Sequence, residues 1–219
     1  MRDTYHEELD GISDSLVEMT RLVRSAISRA TTSLLDADLP LAEGVISADE
    51  EVNRLHKKIE ETAYALMARQ QPVANDLRTI ITALHMAGDL ERSGDYAVHI
   101  AKIARRRHPD SAIPPELRST IVEMGQVAER IVTKAGGVIA SRDVSTALEL
   151  EGDDDRMDRL HRGLFHVLLS DNWKHGVEPA VDVTLAGRYF ERYADHAVHV
   201  ASNVVYMVTG ERPEEIIDA

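Results

Sequence analysis

Not one of the 219 residues is cysteine. That removes disulfides, thiolate zinc sites and cysteine nucleophiles, and it agrees with a reducing compartment. Aromatic residues are scarce at 4%, while alanine, leucine, valine and isoleucine abound, which favours helix packing over a sheet sandwich. The opening stretch MRDTYHEELDG lacks an apolar h-region, so no secretory signal is expected and a cytoplasmic location is. The longest apolar stretch, Ala194 to Gly210, is interrupted by Asp195 and further polar positions, so no direct membrane insertion is expected. Positive charge is the deficient sign. Lys and Arg total 25 against 38 Asp and Glu, and the net charge of −13 repels phosphate backbones, so no nucleic-acid partner is expected.

Long helical periodicities are what the chain does contain. Leu9, Ile12, Leu16, Met19, Val23, Ile27, Ala30 and Leu34 step by three and four, an amphipathic helix that DADLP (Asp36 to Pro40) breaks. A second stripe runs through Val45, Val52, Ile59, Ala63 and Leu66 to the turn RQQP (Arg69 to Pro72). A third carries Leu77, Ile80, Leu84 and Ala87 on through Glu91 to Val98 and Ala101. RRRHPDSAIPPE (Arg105 to Glu116) reads as a linker, with its three arginines at a helix C-terminus where the dipole favours cations. Three helices then recur, roughly Pro115 to Arg142, Val144 to Trp173 and Val177 to Gly210, the last capped by its glycine. The expected fold is all-α: two sequence-related three-helix bundles in tandem, residues 1–108 and 114–219, elongated because 30-residue helices span about 45 Å.

The second bundle repeats more than a helix count. ERSGDYAVH (Glu91 to His99) and ERYADHAVH (Glu191 to His199) match at six of nine positions, and each spaces a Glu, an Asp and a His at intervals of four. That spacing lines three ligand-type side chains along one helix face. In the preceding helices DEEVNRLH (Asp49 to His56) aligns with DDRMDRLH (Asp154 to His161), so each copy is backed by an equivalent Asp. Carboxylates converging on a partly buried face repel one another unless paired or bound to a cation. Oxygen ligands, with imidazole nearby and no thiolate, suit magnesium, manganese, iron or zinc. A lone Glu-x-x-x-Asp is usually a surface salt-bridge element. Its recurrence in register favours metal, with one site per bundle. His85, His166 and His175 read as lone structural histidines, while for the repeated pairs, His56 with His161 and His99 with His199, a packing role carries at least as much weight as ligation.

RQQPVANDLRTIITALHMAGDLERSGDYAVHIA (Arg69 to Ala101) and FERYADHAVHVASNVVYMVTGE (Phe190 to Glu211) resemble the PhoU family of phosphate-uptake regulators. The resemblance covers nearly the whole chain, including its two-repeat layout. It implies metal clusters on the bundle surface held by Asp49, Glu91 and Asp95 in the first repeat and Asp154, Glu191 and Asp195 in the second, with Glu50 and Asp155 as further ligands. The family usually has Asn four residues after the motif Asp. Here His99 and His199 stand there, and as added ligands they would favour zinc or iron over magnesium.

The resemblance also implies a non-enzymatic role, repressing the phosphate-starvation response when phosphate is plentiful. The partners it implies are the ATPase subunit of the phosphate ABC transporter and a phosphate-sensing histidine kinase, which would bring the protein to the inner face of the membrane. Exposed stripes on long helices also permit a homodimer. The absence of a Walker loop, a Gly-x-Ser-x-Gly elbow and a dinucleotide fingerprint agrees with a binding protein that is no enzyme. The alternative is a carboxylate-bridged di-metal oxidase of the ferritin-like kind, but such enzymes carry Glu-x-x-His on two helices and this sequence contains none. A third reading has the bundles bind partners while the acidic motifs merely fix helix register.

Overall fold

The computed structural model describes residues 2–217, and among them there is no strand. Six long helices follow one another: α1 (Arg2–Asp36), α2 (Leu39–Gln70), α3 (Ala74–Arg107), α4 (Arg118–Ser141), α5 (Val144–Leu168) and α6 (Val177–Thr209). A short α7 (Pro213–Ile217), not anticipated from sequence, closes the chain. Local chemistry sets the boundaries. Asp38 caps α2 by accepting from the Leu41 N–H at 2.9 Å, with Pro40 in the first turn where its missing N–H costs nothing. Asp143 caps α5 through the N–H groups of Ser145 and Thr146, at 3.0 and 3.3 Å. Gly210, at φ 83°, ends α6 and donates its N–H to the Tyr206 carbonyl at 2.9 Å.

Two expectations shift. α5 stops at Leu168, short of Trp173, because Ser170, Asp171 and Asn172 favour turn over helix; the Trp173 indole N–H then donates to the Gly176 carbonyl at 2.8 Å. The linker is better anchored than its composition suggests: Arg105, Arg106 and Arg107 form the last turn of α3, the helix C-terminus expected for them, but Ala112 and Ile113 are buried in the core.

Each three-helix unit packs as expected, α1, α2 and α3 together and α4, α5 and α6 together. The units also share one continuous core, because α1 lies along α4 and α3 along α6. Glycines on α4 let α1 approach. A Cβ at Gly136 would stand 2.5 Å from the Thr20 hydroxyl, and one at Gly125 would stand 2.7 Å from Thr31 Oγ1. The α3–α6 seam is antiparallel. Near one end the Arg78 Nε–H donates to the Met207 carbonyl at 3.2 Å, and at the other Arg106 and Arg107 pair with the buried Asp182. Because α3 is covered on several sides, its buried face centres on Ile80, Ala83, Met86, Ala87 and Leu90, leaving Leu84 half-buried and Leu77 exposed at its edge. That edge continues directly to Glu91.

Candidate functional site

Along α2 and α3 the core gives way to carboxylates. Asp49 reaches from α2 over the buried Gly94, where a Cβ would lie 3.1 Å from its Oδ1, so the missing side chain makes room for the carboxylate. Glu91 and Asp95, half-buried on α3, stand on either side in sequence. Burial, then the charge of Asp95, pushes Asp49 above its usual range; a 3.1 Å hydrogen bond from the Asn53 amide and the charge of Lys102 pull the other way. Burial, followed by Asp95, also raises Glu91, against Arg92 and His56. Arg92 pairs with Asp95 at 3.2 Å on the outer side.

The second repeat rebuilds the arrangement on α5 and α6 with more negative charge. Burial pushes Asp154 up to about 7, and Asp195, Asp158, Glu191 and Asp155 add to it. Its Oδ1 is buried with no hydrogen-bond partner. Glu191 is raised by burial and then by Asp195, against Arg188 and Arg192. Arg188 holds Glu191 at 2.6 Å and Arg192 holds Asp195 at 3.0 Å. The His161 Nε2 is a further buried atom without a partner, and burial, with Arg188 nearby, holds that imidazole below its ordinary value.

Asp49, Glu91 and Asp95 thus lie close enough to feel one another's charge, as do Asp154, Glu191 and Asp195. In neither of these two acidic clusters of three do all three ligand atoms come within 4.8 Å of one another. Glu50 and Asp155 are exposed beside them. His99 stacks on Tyr189 across the α3–α6 seam, with ring centroids 5.0 Å apart, and His199 faces Asp89 at 3.8 Å. The seam therefore supplies the contacts of both histidines. Sequence reading passed over Asp158 as a cluster member, although it lies four residues after Asp154, the same spacing used to find Glu91 and Asp95. It also missed Asp89 and His196, which pair at 2.9 Å; helix periodicity gives no sign of a partner 107 residues away.

Residues from both clusters fit a cation. Gly94 vacates space for Asp49, Asp154 has an orphaned oxygen, and Asp49, Glu91, Asp154 and Glu191 are all pushed up chiefly by burial and then by a neighbouring carboxylate. A positive ion relieves that repulsion.

A three-helix unit written twice, with an acidic cluster at the same place in each copy, defines a tandem-repeat helical protein with paired carboxylate sites. The profile of the PhoU domain matches residues 16–104 and again 121–204, and the chain belongs to the PhoU family. It is 50% identical over 213 residues to the phosphate-specific transport system accessory protein PhoU homolog 2 of Mycobacterium tuberculosis, covering 97% of this chain and 100% of that protein. Against homolog 1 of Mycobacterium leprae the identity is 48%, over 98% of this chain and 97% of the relative. The crystal structure of PhoU from Pseudomonas aeruginosa superposes with a TM-score of 0.86 at 30% identity, covering 94% of this chain and 100% of that one.

Proposed function

We propose that the protein is a negative regulator of the phosphate-starvation response. It acts as an adaptor between the ATPase subunit of the high-affinity phosphate ABC transporter and a phosphate-sensing histidine kinase, damping signalling and uptake when phosphate is plentiful. One observation carries this reading: the 50% identity to a phosphate-transport accessory protein runs the full length of that relative and spans both acidic clusters. No helix among the described residues is long and apolar enough to cross a membrane, in keeping with a cytoplasmic protein recruited to the inner face by its partners. An adaptor also needs surface for contact, and the turn after α5 exposes Leu169 and Val177 almost fully beside Phe165 and Val181.

In this reading Asp49, Glu91 and Asp95 hold one metal centre, and Asp154, Glu191 and Asp195 the other, with iron, zinc, manganese or magnesium as the ion. Bound there, the ion supplies the positive charge that the converging carboxylates lack. Arg92, Arg188 and Arg192 orient the outer oxygens. Deleting the gene should switch on phosphate-starvation genes in phosphate-rich medium, and the intact chain, pulled from such cells, should bring down the transporter ATPase. Unchanged expression in the deletion strain would refute the regulatory role. The ferritin-like oxidase reading is disfavoured by the absence of any Glu-x-x-His; oxygen consumption by the iron-loaded protein would revive it.

A further inference from the structure

Midway along the α3–α6 seam, Asp89 of α3 meets His196 and His199 of α6. Among the described residues this is the one group of three His, Asp or Glu residues whose ligand atoms all lie within 4.8 Å of one another. The His196 Nδ1 stands 2.9 Å from Asp89 Oδ1 and the His199 Nδ1 3.8 Å from the same oxygen. Asn203 steadies the pair from behind, its amide donating to Asp89 Oδ2 at 3.3 Å and to the His199 carbonyl at 2.9 Å. On the open side lies a cleft of about 880 Å³, lined in part by Asp89, His199, His85 and Glu91.

We infer that Asp89, His196 and His199 form a third metal site, distinct from the two carboxylate clusters, for a first-row transition ion of the zinc class. This site stands whether or not the regulatory reading above holds. Two imidazoles and a carboxylate are the donor set that zinc, iron(II) and nickel prefer and magnesium does not. Bonds of about 2.1 Å in a tetrahedral site place donors about 3.3 Å apart, so the group must close by roughly 1.5 Å at most. The His199 side chain, 58% exposed, is free to make that movement. His196 is held by stacking on Tyr96, with centroids 5.7 Å apart. A carboxylate fixed by an amide is the outer-shell support that metal sites use, and the cleft leaves a fourth position for water or a partner's side chain.

The nearest cation is Arg192, whose Nη2 lies 3.4 Å from His196 Nε2. A guanidinium only donates, so in the free protein Nε2 accepts and the ring proton sits on Nδ1, facing Asp89. Metal binding at Nδ1 shifts that proton to Nε2, so Arg192 gives up its contact with Nε2 and keeps its bond to Asp195.

The seam has an internal control. One hundred residues separate the two copies of the motif, and the positions equivalent to Asp89, His196 and His199 are Tyr189, Tyr96 and His99. These stack instead, Tyr96 on Tyr189 at 6.1 Å and His99 on Tyr189 at 5.0 Å. Among the described residues there is therefore one such site, joining the two repeats across the seam.

The test is zinc titration of the chelator-stripped full chain and of three variants, with helicity checked by circular dichroism and the site's geometry read from the cobalt(II) visible spectrum. The variant E91Q/D95N/E191Q/D195N should still take up one tight zinc and give a tetrahedral cobalt spectrum. D89N/H196Q/H199Q should lose that equivalent and that spectrum. H199Q alone should weaken zinc binding more than tenfold while leaving the melting of the metal-free protein unchanged. Equal uptake and an unaltered cobalt spectrum in wild type and H199Q would overturn the assignment, as would the absence of any tight zinc from a folded carboxylate variant.

Discussion

The two carboxylate clusters occupy the same place in two copies of one scaffold, yet they are charged differently. In the first, Asp49 accepts a hydrogen bond from Asn53 and feels the charge of Lys102. In the second, Asp158 replaces Asn53 and Ser202 replaces Lys102, so Asp154 faces another carboxylate where Asp49 faces an amide. Asp154 accordingly rises to about 7, with one oxygen left unpartnered. Gly94 also gives way to Ala194, and Gly88 to Arg188, which clamps Glu191. A shared backbone fixes where the acids meet. A few neighbouring side chains decide how strongly they repel, and hence how much a cation would gain there.

Removing two ligands should give the largest effect. E191Q/D195N is expected to lower metal affinity at the second cluster by more than a hundredfold while leaving the first loaded, and E91Q/D95N should do the reverse, as equilibrium dialysis with elemental analysis would show. Exchanging the fourth acid should come next. D158N removes one charge beside Asp154 and should bring its pKa down and weaken cation binding about tenfold, roughly the value of one pKa unit of interaction. N53D should move Asp49 the opposite way. Carboxyl titration by NMR would follow both.

The pH response of the metal-free protein is smaller and has a definite sign. Asp154 binds its proton up to about pH 7 when folded but only to about 3.8, its ordinary value, when unfolded. The folded state thus holds the extra proton, and this contribution to stability is present at low pH and lost as pH rises through about 7. Asp49, Glu91 and Glu191 are raised as well and act in the same direction. Melting temperature in chelator should therefore fall between about pH 4 and 7 and level off above that, the slope should flatten in D154N, and excess divalent metal should remove it. The smallest change should come from G94A. Alanine gains about 1 kcal/mol of helix propensity over glycine, offsetting the 3.1 Å approach of its Cβ to Asp49 Oδ1. Stability should hardly move, while cation affinity at the first cluster drops a few-fold.

Much of this was legible in the sequence because helices declare themselves by period and by caps. DADLP, RQQP and Gly210 end or start helices where expected, and the recurring Glu-x-x-x-Asp with an Asp on the helix before it identifies both clusters. Leu77 and Leu84 misplace the centre of the α3 stripe only slightly, since α3 is covered by α1, α2 and α6 and no single narrow face describes it. What sequence left hidden depends on α3 pairing antiparallel with α6. That pairing brings Asp89 to His196, Tyr96 to Tyr189 and Arg107 to Asp182, all from residues that look like ordinary helix surface in a linear reading.

Elemental analysis of the purified full chain beside E91Q/D95N/E191Q/D195N, both prepared without added chelator and both confirmed helical, tests the central claim most directly. With the two carboxylate clusters as metal centres, the wild type should carry at least two more metal ions per chain than the variant. Equal metal content in the two folded proteins, before and after reloading with iron, zinc or manganese, would contradict the account and leave the duplicated motif as a helix-register or partner-contact signature.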